Sequence, residues 1–117
     1  MSRKKGSYDN SVTGEKANIS RMGIKKLTSG KAMGKSKDNG FTEREHFEAV
    51  SRVGELYKKA SFIASEPDRH GNQDVSCVKK YDVSCKLRSG KKATAHITVK
   101  EYKNGENKIY SLELMKR

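Results

Sequence analysis

Apolar and polar residues alternate along the second half of the chain. VSCVKKYDVSCKL places Val75, Cys77, Tyr81, Val83, Cys85 and Leu87 on one side, with Lys79 the exception. KKATAHITVKEY places Ala93, Ala95, Ile97 and Val99 together, and NKIYSLELM does the same for Tyr110, Leu112 and Leu114. A period of two predicts three half-buried strands. SFIAS is a shorter apolar run and predicts a further strand before them. The connections fix the register. Arg88-Ser89-Gly90 suits a three-residue hairpin loop with Gly90 at the positive-φ position, and Asn104-Gly105 suits the next turn. Val83 then opposes Ala95, Ile97 opposes Leu112, Val99 opposes Tyr110 and Tyr102 opposes Asn107, so apolar meets apolar. A slip of one residue would undo this.

The first half has a different period. FTEREHFEAVSRVGELYKKA carries Phe47, Val50, Val53 and Tyr57 at helical spacing, beside Ala49, Leu56 and Ala60. Thr42 followed by Glu45 is a capping box, and Gly54 is the place where this helix would bend or split. ISRMGIKKLTSG predicts a short helix near 20–28, and KAMGKSKDNG reads as a basic loop. The expected fold class is therefore α+β, with two N-terminal helices packed on one face of a four-stranded antiparallel sheet. Residues 1–17 read as a flexible basic arm and 18–117 as one domain.

Composition sharpens the picture. Apolar residues make up 32% of 117 and charged residues 34%, so the core is modest. The net charge is +12, and residues 1–40 hold ten Lys/Arg against three Asp/Glu. Nucleic acid is the commonest partner of such a chain. An anionic membrane and an acidic protein are the other options. The chain has no apolar run long enough to span a membrane and no secretory leader pattern. Cys77 and Cys85 on one strand lie too far apart to bridge, and no metal-ligand spacing occurs. A reducing, cytoplasmic setting and no cofactor are expected.

The same register gathers chemistry on the polar face. Asp82 opposes His96 and His96 opposes Glu113, with Thr98 between Lys80 and Ser111, and with Lys100 and Tyr102 further along. Opposed side chains lie within contact range, about 5 Å at Cβ. A histidine and a carboxylate can act as base and acid when a ribose 2′-hydroxyl attacks its own phosphate, and a lysine can stabilise the charge that develops. His96, Glu113, Lys100 and Ser111 are the candidate catalytic residues. Lys80, Asp82, Tyr102, Lys25, Lys26 and Lys35 are the candidates for nucleic-acid binding. A polar sheet face with mixed charge is also what solubility alone requires. His46 and His70 read as structural or solvated, and Lys79 as reaching past the helix edge to water.

ISRMGIKKLTSGKAMGKS, EHFEAV, VGELYKKA, PDRHGN, ITVKEY and KIYSLEL occur in an order that resembles the large polyvalent protein-associated domains of phages and mobile elements. The resemblance runs from about residue 18 to the end and rests on order and spacing. It implies kinship with phage nucleases of the barnase–EndoU–colicin–RelE-like fold, with helices on a four-stranded antiparallel sheet. It also implies descent from metal-independent ribonucleases, toxins among them. Lys100, Tyr110, Ser111 and His46 stand at matching positions, Tyr110 on the core side. The reading that results is a small basic ribonuclease-like domain acting on RNA, tRNA included, with an acidic immunity protein or antitoxin as a further partner. The alternatives are a non-catalytic nucleic-acid-binding module and a module that docks to an acidic protein.

Overall fold

A computed structural model describes residues 6–19, 25–68 and 73–116. The strands come in the order β1 (Gly6–Asp9), β2 (Lys16–Ile19), β3 (Ser61–Glu66), β4 (Val75–Lys86), β5 (Lys92–Tyr102) and β6 (Asn107–Lys116). Between β2 and β3 lie α1 (Gly30–Asp38), α2 (Glu43–Ser51) and α3 (Val53–Lys59), preceded by a helical turn at 25–27. All six strands form one sheet, ordered β1-β2-β6-β5-β4-β3.

This corrects the expected architecture. The sheet has six strands rather than four and is mixed, because β2 runs parallel to β6 through the Asn18–Lys108 pair. Among the described residues three helices pack on this curled half-barrel, where two helices on one face of a four-stranded antiparallel sheet were expected. The nuclease-like arrangement implied by the resemblance is not the one found. The difference originates in the segment read as an arm. Residues 6–17 of it, with Asn18 and Ile19 of the expected domain, form an antiparallel hairpin that extends the sheet, and Ala17 and Ile19 are buried in the core. Asn10 holds the turn: its Oδ1 accepts the N–H groups of Val12 and Thr13, and its Nδ2 donates to the carbonyls of Tyr57 and Ala60. One buried amide thus closes the hairpin and satisfies carbonyls at the end of α3.

The C-terminal meander follows its local signals. Gly90 and Gly105 have φ of +89° and +91°, as their hairpin turns require. Val83 pairs with Ala95 and Ile97 with Leu112. Beyond Thr98–Ser111 the expected register fails. A bulge makes Ile109 the partner of Val99 and Asn107 the partner of Glu101. Ile109 takes the buried slot assigned to Tyr110.

The long helical pattern is two helices broken at Arg52, whose φ of −114° and ψ of 16° leave the helical region. The Thr42–Glu45 capping box is formed in both directions. Ala49, Val50, Val53, Leu56 and Tyr57 bury against the sheet, whereas Phe47 is 44% exposed and falls outside the stripe. Gly54 serves a different purpose from the expected bend: the Tyr8 ring of β1 packs where a Cβ would stand. KAMGKSKDNG is not a loop. It is mostly α1, capped by Ser29 Oγ on the Ala32 N–H.

Two polar residues lie in the interior, Lys79 against its reading and His46 in the structural place that was one of its two readings. Lys79 does not reach water; its ammonium lies 2.6 Å from Glu15 and 2.7 Å from Glu101. Burial works against that ammonium, but the two carboxylates outweigh it and raise its pKa. His46 is fully buried, with Nδ1 on Ser36 Oγ and Nε2 on the Leu27 carbonyl. His70 and residues 20–24 of the first expected helix lie outside the described residues.

Candidate functional site

The polar face of β4, β5 and β6 is not open to solvent along its whole length. The turn at 25–27 and the start of α1 stand across it, because α1 packs along the outer edge of β6. Beyond Lys108 that edge has no pairing strand among the described residues, and α1 supplies partners for it. Ser36 Oγ accepts the Leu114 N–H, and Asn39 Nδ2 donates to the Leu114 carbonyl. The result is a cleft of about 580 Å³ between helix and sheet.

Lysines come from both walls. Lys26, Lys31 and Lys35 stand on the helical side, and Lys80 and Lys100 on the sheet side. Spacing of four on α1 puts Lys31 and Lys35 on one helix face. Lys100 is buried and makes a 3.6 Å ion pair with Asp68. Lys80 lies 3.5 Å from Thr98 Oγ1. Among the described residues no carboxylate pairs with Lys26, Lys31, Lys35 or Lys80. Glu66, Asp68 and Glu113 are the acids of the cleft, so five ammonium groups face three carboxylates. Tyr110 stands among the lysines, with Lys100 Nζ 3.9 Å and Lys26 Nζ 4.7 Å from its ring centroid.

Of the ten residues singled out from the sequence, Lys26, Lys35, Lys80, Lys100, Ser111 and Glu113 line this cleft together. His96 and Asp82 form a pair beside it. His96 Nδ1 lies 2.6 Å from Asp82 Oδ1, and both side chains are partly exposed. In the tautomer that donates Nδ1–H to that carboxylate, Nε2 carries the lone pair, and Nε2 has no protein partner among the described residues. Glu113 opposes His96 across the β5–β6 ladder but is not its hydrogen-bonded partner. Lys25 is exposed on the helical turn and does not line the cleft. Tyr102 lies toward the far end of β5, under the ammonium of Lys108, and is likewise outside it.

Lys31, Glu66 and Asp68 escaped the sequence reading as site residues, and Tyr110, a matching position of the resemblance, was given a core place instead of one in the cleft. Lys31 was legible in principle, since Lys31 and Lys35 would share a face had the segment been read as a helix. Tyr110 was not, because its place depends on the bulge. Among the described residues no group of three His, Cys, Asp or Glu side chains is arranged to hold a metal. Cys85 is buried, which raises its pKa, and so lacks the character of a reactive thiol.

No curated protein and no solved structure matches the chain. A family model does, over residues 2–110, which takes in the N-terminal hairpin, the helices and most of the sheet. The chain therefore belongs to the large polyvalent protein-associated domain 3 family, and with it to proteins of phages and mobile elements.

Proposed function

We propose that the cleft binds the backbone of nucleic acid, RNA first. The observation that carries this reading is the pair of facing lysine sets, Lys26, Lys31 and Lys35 across from Lys80 and Lys100. Five ammonium groups converging on one concave site suit phosphates, and the net charge of +12 supplies long-range attraction. Binding of labelled RNA over a series of salt concentrations tests it. Affinity should fall steeply with salt, and Lys35→Ala and Lys80→Ala should each flatten that dependence. Salt-independent binding, or none, would sink the proposal.

A second reading adds catalysis, and the His96–Asp82 pair favours it. Asp82 orients the imidazole through Nδ1 and leaves Nε2 to accept the 2′-hydroxyl proton or return one to the leaving oxygen. Glu113, which opposes His96 across the ladder and lines the cleft, would take the opposite role. Lys100 and Ser111 would support the phosphate. The 2′-oxygen attacks phosphorus, the bond to the 5′-oxygen breaks, and the products are a cyclic phosphate and a 5′-hydroxyl. Total RNA incubated with chelator checks this: cyclic-phosphate ends are expected from the intact protein and none from His96→Ala. Intact RNA after incubation with the unaltered chain would leave the binding reading alone.

A further inference from the structure

Tyr110 is where it is because of one irregularity. The β5–β6 ladder runs in step through Thr98–Ser111 and resumes at Val99–Ile109, which leaves Tyr110 without a partner across the ladder. Without that bulge Tyr110 would take the core place opposite Val99. With it, Ile109 fills the core and the phenol turns into the cleft. The ring is half-buried, beside the buried Lys100 ammonium and the exposed Lys26 ammonium.

We infer that Tyr110 is a stacking platform, and that the cleft selects single-stranded over duplex nucleic acid. The inference rests on the backbone-binding reading above and names its substrate class. A cleft of about 580 Å³ has the size that encloses one small ligand, here one nucleotide with its base turned out. A duplex keeps its bases stacked and paired and presents only its outer backbone to such an opening. An unstacked base can lie on the Tyr110 ring. Lys26, on an exposed stem, then moves from the ring to the adjoining phosphate, while the buried Lys100 keeps its contact with the ring. Thr98 and Ser111 offer hydroxyls to the sugar or base edge, and these carry no strong sequence preference.

Binding of a short labelled RNA is compared with binding of the same strand annealed to its complement, at one salt concentration. The single strand should bind about 5- to 100-fold more tightly, the range one base–aromatic stack supplies. Tyr110→Phe should keep that preference. Tyr110→Leu, which retains apolar bulk, and Tyr110→Ala should both lose it without altering the salt dependence. Lys35→Ala should weaken single strand and duplex alike. Equal, salt-sensitive affinity for both forms would overturn the platform and leave the backbone reading standing. So would a preference that survives Tyr110→Leu in a variant with unchanged thermal unfolding. Failure to bind either form would overturn both.

Discussion

Ser36 Oγ lies 2.8 Å from His46 Nδ1 and also takes the Leu114 N–H at 2.9 Å. One hydroxyl thus joins α1, α2 and β6. The network closes if the Ser36 O–H donates to Nδ1 and the Nε2–H donates to the Leu27 carbonyl at 2.7 Å. This hold positions the helical wall of the cleft. Ser36→Ala would strand a buried N–H and a buried ring nitrogen, at a cost of about 2–3 kcal/mol. Urea unfolding should show it as a lower midpoint with an unchanged slope.

Asn10→Ala removes two buried donors from the carbonyls of Tyr57 and Ala60 and the three contacts that Oδ1 accepts in the hairpin turn, from the Val12 and Thr13 N–H groups and the Thr13 hydroxyl. A loss of about 1–3 kcal/mol is expected. Hydrogen exchange should quicken first across β1 and β2, ahead of the β4–β5 ladder.

Lys79 ties the N-terminal hairpin to the sheet through Glu15 and to β5 through Glu101. Lys79→Met should destabilise by about 1–2 kcal/mol, less than a fully buried pair would, because both carboxylates are about one-third exposed. The Lys79 hydrogen bond holds the Glu101 pKa below the ordinary carboxylate range. Its contribution is therefore full above the unfolded value of about 4.3 and is lost as pH falls through the folded value. The Lys79 pKa is raised, so its own contribution is full below the unfolded value and fades only as strongly alkaline pH passes the folded one. A pH series of urea midpoints should show a shallower acid limb in Lys79→Met than in the parent.

Gly54→Ala places a methyl inside the Tyr8 ring. Alanine is the better helix former, so propensity alone predicts a gain. The contact predicts a loss of about 1–3 kcal/mol, because β1 must shift to admit the methyl. The double variant with Tyr8→Ala should recover part of it, and the double-mutant cycle measures the coupling.

Each lysine that neutralises a phosphate contributes about 0.7 to the slope of log affinity against log salt for a single strand. Lys31→Ala, Lys35→Ala and Lys80→Ala should each reduce the slope by about that amount, and Lys25→Ala, outside the cleft, should reduce it less. Asp82→Asn should leave the slope alone and, if the chain cuts RNA, lower the cleavage rate through misorientation of His96.

Much of the β4–β6 meander was legible because its determinants are local. Gly90 and Asn104-Gly105 specify turns, and a two-residue period specifies faces, so Asp82–His96–Glu113 could be read as one row. The capping box at Thr42 is equally local. The helicity of Gly30–Asp38 was not legible, since its polar, lysine-rich sequence has little apolar stripe. It is anchored largely through Ser36, Asn39 and the buried Ala32. Nor was the place of the hairpin at 6–19, whose residues up to 17 read as an arm because their apolar content is low. A single amide at Asn10 and an ion pair to Lys79 hold that hairpin to groups about 50 and 64 residues away.

The amino-acid sequence by itself determined the charge, the strand periods, the tight turns and the row that carries His96, because each depends on residues a few positions apart. Tertiary structure alone decided that β2 joins β6, that α1 walls a cleft, and that Tyr110 enters it while Ile109 goes to the core. Those outcomes depend on which of several similar burial patterns packs best across the whole sheet, and no short window of sequence carries that comparison.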